Sequence, residues 1–241
     1  MAGAIHRFFT NIICGFIYNK DTHNHAHVVM NSPMLTNIRF IRKNLNKPLH
    51  KIKTFIGYQA RNLLISVNDE YIFKFPLRRD NSRELTIREK RIVDAFIQIS
   101  PVPIPHVEIL EHRGTLVRKY KFIRGTGLRQ IPAELLNKNL NKLAKQIARF
   151  MFEISISDPA EIRDLKPNKN AKPGYMYGWT QGDIYNNFLV DIKTMKIIAF
   201  IDWEDCEFRD FSNLLHPDRR NLMPAVKREY DKLYTRHTKS N

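Results

Sequence analysis

The sequence predicts an α+β fold of two lobes, the first mostly antiparallel sheet with one inserted helix, the second mainly helical. Three observations predict it. Strand-like runs come in pairs joined by two-residue turns in the first half. Two long segments carry apolar residues at helical spacing. A proline run, Pro101, Pro103 and Pro105, ends the first of those helices and leads back into strands.

Taken in order, residues 1–52 form a basic extension with Arg39, Arg42, Lys43 and Lys47 on a helix. Within it Phe8, Phe9, Ile12, Ile13, Phe16 and Ile17 recur at helical spacing, which suits packing on the folded body; lying along a membrane surface is the alternative. His23, His25 and His27 alternate, but without a fourth ligand they read as a loop. The first lobe spans 53–125. Ala60 to Val67 and Glu70 to Phe75 are strands that turn at Asn68-Asp69. Arg83 to Ile97 is a helix whose apolar face is Ile87, Ile92, Val93, Phe96 and Ile97. Val107 to Leu110 and Leu116 to Phe122 are the next pair, with a turn at Arg113-Gly114. The second lobe spans 126–241. Asn141 to Ile154 is its main helix, with Leu143, Ile147, Phe150, Met151 and Ile154 on one side. Short strands at Phe188 to Val190 and Ile197 to Ile201 follow, then a basic helix over Met223 to Leu233.

Composition narrows the function. Forty Lys and Arg against twenty-four Asp and Glu give a formal net charge of +16. A field of that sign favours anionic partners and repels cationic substrates. The two cysteines, Cys14 and Cys206, form no metal or disulfide pattern and fit a reducing compartment. No run approaches the about 20 apolar residues that span a bilayer, and the segment from Phe8 is a poor signal peptide, so the expected location is cytoplasmic, with peripheral contact on the inner face of a membrane as the alternative.

The chemistry-bearing residues fall in a consistent order. Gly57-Tyr58-Gln59-Ala60-Arg61-Asn62 is a loop whose glycine lets backbone approach a phosphate. Lys74 lies inside the apolar run Tyr71 to Pro76, where an ammonium needs an anion; Glu89 on the next helix is its natural partner. Gln181-Gly182-Asp183-Ile184-Tyr185-Asn186-Asn187 sets an acid and an amide before a buried strand, and Ile201-Asp202-Trp203-Glu204 sets a second acid after another. Strand-flanking carboxylates with an asparagine supply the oxygen ligands that magnesium takes. Any one of these is an ordinary residue in its place. Together they are what phosphoryl transfer needs: a held polyphosphate, a metal and a carboxylate near the attacking hydroxyl.

These motifs resemble the aminoglycoside phosphotransferase and choline kinase superfamily, relatives of the protein kinases. Gln181-Gly182-Asp183 is similar to that family's His-Gly-Asp, and Ile201-Asp202-Trp203-Glu204 matches its Ile-Asp-Trp-Glu. Gly57 to Leu63 resembles its nucleotide loop, Lys74-Phe75-Pro76 its lysine strand, and Phe122 to Thr126 its link between lobes. The resemblance covers roughly 53–210 and implies a protein-kinase-like fold using ATP and Mg2+. By position it implies that Asp183 accepts or orients the acceptor's hydroxyl proton, and that Asn187 and Asp202 hold the metal. Lys74, set by Glu89, would contact the phosphates, beside Gly57, Arg61 and Asn62.

Three departures stand out. Glutamine replaces the histidine, which changes support of the loop rather than its chemistry. The step from Asp183 to the asparagine is one residue shorter, making Asn187 the metal ligand and Asn186 the reserve. The segment 211–241 is far shorter than the acceptor-binding helices of relatives, so the expected second lobe is reduced and its acceptor site is small, open, or completed by the amino-terminal segment.

The expectation is a phosphotransferase acting on a hydroxyl of a small molecule or glycan, an anionic envelope saccharide among them. The competing reading is an inactive kinase-like module that binds membrane, glycan or RNA through its charge. Retention of Lys74, Glu89, Asp183 and Asp202 favours the enzyme, and no aromatic-interleaved basic motif favours nucleic acid.

Overall fold

A computed structural model describes residues 34–57, 61–77, 80–215 and 221–240. The stretches around Phe8 and around the alternating histidines lie outside them. The chain divides into two compact units: one runs through Thr86 and takes in Val107–Phe122, and the other comprises Ile87–His106 and Ile123–Asn241.

The first unit is a five-stranded antiparallel sheet. Its strands are β1 (Ile52–Ile56), β2 (Asn62–Val67), β3 (Tyr71–Pro76), β4 (Glu108–His112) and β5 (Thr115–Lys121), in the order β1-β2-β3-β5-β4. Both expected hairpins form. Asn68 and Asp69 adopt φ 56° and 52°, and Arg113 and Gly114 φ 54° and 73°. Such left-handed pairs match the twist of the flanking strands. Asn68 does more than turn the chain: its Oδ1 accepts from the backbone N–H of His50 and Lys51, and its Nδ2 donates to the Pro48 carbonyl.

Period-two alternation sorts the sheet into two faces. Leu63, Ile65, Val67, Phe73, Phe75 and Val117 form one, covered by Met34 and Ile41 of helix α1 (Met34–Leu45). Asn62, Leu64, Ser66, Lys74 and Arg118 point to the other. Helix α1 carries Arg39, Arg42 and Lys43, but it ends before Lys47, because Asn46 takes a left-handed φ of 48°.

Helix α2 (Ser82–Phe96) corrects one expectation. Ile87 is 43% exposed, whereas Thr86 and Glu89 are fully buried with Ile92, Val93 and Phe96. The buried stripe is 86-89-93-96, helical spacing in which two members are polar. Reading apolar residues alone therefore rotated the face.

The second unit is built on α4 (Leu140–Ile156), preceded by β6 (Thr126–Gly127) and the short α3 (Ala133–Lys138). All five residues expected on the apolar side of α4 are buried. The terminal helix α6 (Leu222–Ser240) packs on it, with a buried hydrogen bond between Ser155 Oγ and Tyr230 Oη at 3.0 Å. Two small antiparallel sheets complete the unit. One pairs β7 (Tyr177–Gln181) with β10 (Cys206–Asp210). The other joins β6 to β8 (Phe188–Asp191) and β9 (Lys196–Phe200), with the one-turn helix α5 (Ile184–Asn187) leading into β8. Phe96, Phe150, Trp179, Phe188, Phe200 and Trp203 interlock in edge-to-face, tilted and stacked pairs at centroid distances of 4.5–6.0 Å. Among the described residues, no helix is long and apolar enough to cross a membrane.

Candidate active site

The acidic residues singled out in the sequence meet in the second unit. Strand β7 ends at Gln181, and the chain turns through Gly182 and Asp183 into α5. Gly182 is shaped by a neighbour: a Cβ there would lie 3.0 Å from an Arg209 guanidinium nitrogen on β10. The Asp183 side chain is exposed, and both its oxygens lie 2.7 Å from Asn186 Nδ2. Asn187 is buried, and its carbonyl accepts the Ile201 N–H at 3.0 Å, joining this segment to the end of β9.

Asp202 follows β9 with φ 62° and ψ 70°. Left-handed backbone is uncommon outside glycine, asparagine and aspartate, and tends to occur where surrounding contacts over-determine it. Those contacts are visible. Gln181 is 3% exposed; its Nε2 donates to the Asp202 carbonyl at 3.1 Å, and its Oε1 accepts the Asp183 N–H at 2.6 Å. One uncharged side chain thus pins both acid-bearing turns. Glu89 Oε1 accepts the Trp203 N–H at 3.3 Å, while Arg88 donates to the carbonyls of Glu204 and Cys206 at 3.3 and 2.7 Å. Two consecutive residues of α2 therefore hold the segment just after Asp202. Burial drives the Cys206 thiol up to about 12, so it stays a neutral packing group beneath that segment.

Lys74, Gly57, Arg61 and Asn62 gather in the first unit. Across the mouth of the loop, the Gly57 N–H donates to the Asn62 carbonyl at 2.9 Å, and the Leu77 N–H to the Arg61 carbonyl at 2.9 Å. A Cβ on Gly57 would meet nothing closer than 3.4 Å. The protein's own packing therefore does not demand glycine there. Lys74 is 5% exposed and stands opposite Leu64 of β2 and Arg118 of β5.

Several residues of these clusters went unremarked in the sequence. Arg88 has no signal beyond adjacency to Glu89. Arg118 could have been found by extending the hairpin register from Lys74 across the sheet.

Magnesium fits this donor set as a phosphate-bound ion. Asp202 and Asn187 would offer one carboxylate and one amide, and magnesium bound with a polyphosphate keeps few protein ligands. Among the described residues no cluster of three or more His, Cys, Asp or Glu forms an all-protein cage.

Comparison with solved structures locates the fold. The GDP complex of aminoglycoside 2'-phosphotransferase IIIa superposes with a TM-score of 0.64 at 17% identity, covering 83% of each chain. The ADP-bound aminoglycoside phosphotransferase APH(2'')-Ib gives 0.61 at 16% identity over 80% of this chain and 81% of that one. A macrolide 2'-phosphotransferase from Brachybacterium faecium, an apoenzyme, gives 0.52 at 16% over 80% and 81%. No family model matches the sequence, and no curated protein does. The fold is that of the aminoglycoside phosphotransferases, a protein-kinase-like α+β architecture.

Proposed function

We propose that the chain is an ATP- and Mg2+-dependent phosphotransferase that moves a γ-phosphoryl group to a hydroxyl of a small-molecule or glycan acceptor. The observation that carries this reading is the tie between Asp183 and Asp202 through buried Gln181. A module with no chemistry to perform has no need to hold two acid-bearing turns in register. In this reading Asp183 accepts or orients the acceptor's proton, and Asp202 and Asn187 hold the magnesium that neutralises phosphate charge. Lys74, set by Glu89, contacts the phosphates beside Gly57, Arg61 and Asn62. The formal charge of +16 makes an anionic acceptor, such as a phosphorylated saccharide, the favoured class.

The test separates the two aspartates. Asp202→Ala should weaken magnesium–nucleotide binding and abolish turnover together. Asp183→Asn should leave nucleotide binding near the wild-type value while lowering turnover by about 10²–10⁴-fold, the usual worth of general-base help. Calorimetry with MgATP and MgGTP gives the binding arm, and magnesium-dependent nucleotide hydrolysis the turnover arm. Wild-type protein that binds neither nucleotide would refute the reading.

A further inference from the structure

Strand β10 carries a cation that the proposed chemistry has not used. Arg209 stands opposite Gly178 of β7 in register, yet a terminal nitrogen of its guanidinium lies 3.0 Å from where a Cβ on Gly182 would be. The side chain therefore reaches forward along β7 to the turn that carries Asp183. Glycine at 182 gives the guanidinium its place, since a side chain there would take the same space.

The partners of Arg209 are as informative as its position. Among the described residues its side chain makes no hydrogen bond, and its Nε is shut off from solvent without a partner. Its carboxylate neighbour is Glu207 on the same strand, 4.0 Å from Nε, with the two side chains 42% and 51% exposed. An ion pair that long and that open contributes little and is readily exchanged. Asp183 follows the glycine on which the guanidinium rests, but its two oxygens both lie 2.7 Å from Asn186 Nδ2. A neutral amide thus holds the acid while the neighbouring cation makes no bond to it. An arginine serving only to brace the turn would be bonded to it, and a buried donor without a partner calls for a reason.

The acceptor supplies one. An acceptor bearing an oxyanion would meet like charge at this turn, from the Asp183 carboxylate and from the phosphoryl group in transfer. Repulsion between like charges a few ångströms apart is strong unless a cation offsets it. A guanidinium suits that task, because it is always charged and its planar fork of donors matches a phosphate or a carboxylate.

We infer that Arg209 is a specificity-determining residue of the acceptor site: its guanidinium takes an oxyanion, a phosphate or a carboxylate, that the acceptor carries close to the hydroxyl served by Asp183. The inference rests on the phosphotransferase reading for the identity of the ligand as an acceptor, though not for the existence of an anion seat. It narrows the acceptor from anionic at large to one whose charge lies beside the reacting hydroxyl. Glu207 is the resident counter-ion that such an oxyanion displaces.

The experiment follows the thermal midpoint of the full chain on titration with inorganic phosphate, glucose 6-phosphate, glucuronate and glucose. Wild type, Arg209→Met, Arg209→Lys and Glu207→Gln are compared with and without saturating magnesium and the non-hydrolysable nucleotide AMP-PNP, whose own affinity is measured by calorimetry. Loss of one charge-assisted interaction predicts that Arg209→Met weakens oxyanion binding by about 10–100-fold, with AMP-PNP affinity unchanged and glucose without effect throughout. Arg209→Lys should recover part of the loss by restoring the charge without the fork. Glu207→Gln removes the competing carboxylate and should tighten oxyanion binding by about 2–5-fold, a gain that a merely structural role for Arg209 would not produce. A preference for glucose 6-phosphate over glucuronate identifies the oxyanion as a phosphate, and the reverse identifies a carboxylate. Should Arg209→Met fail to fold, Arg209→Lys and Glu207→Gln decide. No oxyanion response in wild type, a response equal in wild type and Arg209→Met, or a loss of AMP-PNP affinity matching that of phosphate would overturn the inference. Arg209-dependent phosphate binding by a protein that takes no nucleotide would sink the phosphotransferase reading and uphold the seat.

Discussion

Replacing Gln181 gives the sharpest view of how this site is held. Gln181→Leu keeps the side-chain volume and removes both bonds, to the Asp202 carbonyl and from the Asp183 N–H. Each bond is worth about 1 kcal/mol net, and a buried partner left unsatisfied adds about 1–3 kcal/mol. Gln181 is 3% exposed, so water cannot readily replace both contacts. Both bonds and one partner left unsatisfied give an expected loss of about 3–5 kcal/mol of stability, read from the urea midpoint. Turnover should fall further than folding does, because a misplacement of about 1 Å between reacting groups can cost about 10²-fold. Gln181→His adds a pH signature. A neutral imidazole can donate from one nitrogen and accept at the other, whereas the protonated ring only donates and cannot accept the Asp183 N–H. The folded state therefore favours the neutral ring and holds its pKa down. Activity and the stability this ring contributes should be present above the imidazole pKa and lost as pH falls through it, from about 6.5 downwards. Wild type, with an amide there, should show no such inflection from this position. A Gln181→Leu protein with wild-type midpoint and nucleotide hydrolysis, or a Gln181→His profile superimposable on wild type, would refute the reasoning.

Three other perturbations probe separate parts of the structure. Gly178→Ala would put a methyl 2.0 Å from the Ser155 backbone oxygen at the end of α4, so its cost should reach or exceed the upper end of the about 1–3 kcal/mol typical of overpacking, measured by urea unfolding. Asn187→Ala should weaken magnesium–nucleotide affinity, whereas Asn186→Ala should leave it intact and alter turnover only, since Asn186 touches the Asp183 carboxylate; equal effects on affinity would show that the two asparagines were wrongly separated. Lys166→Met removes a buried ammonium bonded to Asp158 and to the Ala171 carbonyl and lying over the Phe208 ring. The hydrogen bond from Lys166 holds the Asp158 carboxyl below the usual range. Its contribution should therefore be complete above about pH 3.9 and fade as pH falls through the lowered folded value. Asp158 is a third exposed, so the loss at neutral pH should stay below the about 3–5 kcal/mol seen when fully buried pairs are broken. A stability gap between Lys166→Met and wild type that persists unchanged at pH 2 would contradict the ion-pair account.

What the sequence made legible follows from where local rules dominate. Asn68-Asp69 and Arg113-Gly114 announced their hairpins because left-handed turns admit few residue types. Helix α4 was plain because its whole buried side is apolar or small. Strands β7 and β10 were invisible: Tyr177-Gly178-Trp179-Thr180-Gln181 is interrupted by a glycine required by the Ser155 backbone, and Cys206-Glu207-Phe208-Arg209-Asp210 alternates with charge. Their pairing is a tertiary fact. The same holds in the site. Asp183 and Asp202 stood out beside apolar strands, but Arg88 and Arg118 act through backbone carbonyls and a register that only the folded chain defines.

The first unit is also discontinuous, and that has consequences for making and dividing the protein. The chain leaves it after Thr86 and returns at Val107 to lay down β4 and β5, so three peptide links join the units: 86–87, 106–107 and 122–123. During synthesis, β3 waits for its neighbour β5 until residue 121 has emerged, with Lys74 and Asn62 on an incomplete sheet in the interim. No single cut releases either unit whole, and no single crossover in a gene fusion exchanges one for a foreign counterpart. A working chimera would have to carry residues 87–106 with the second unit and graft across all three links.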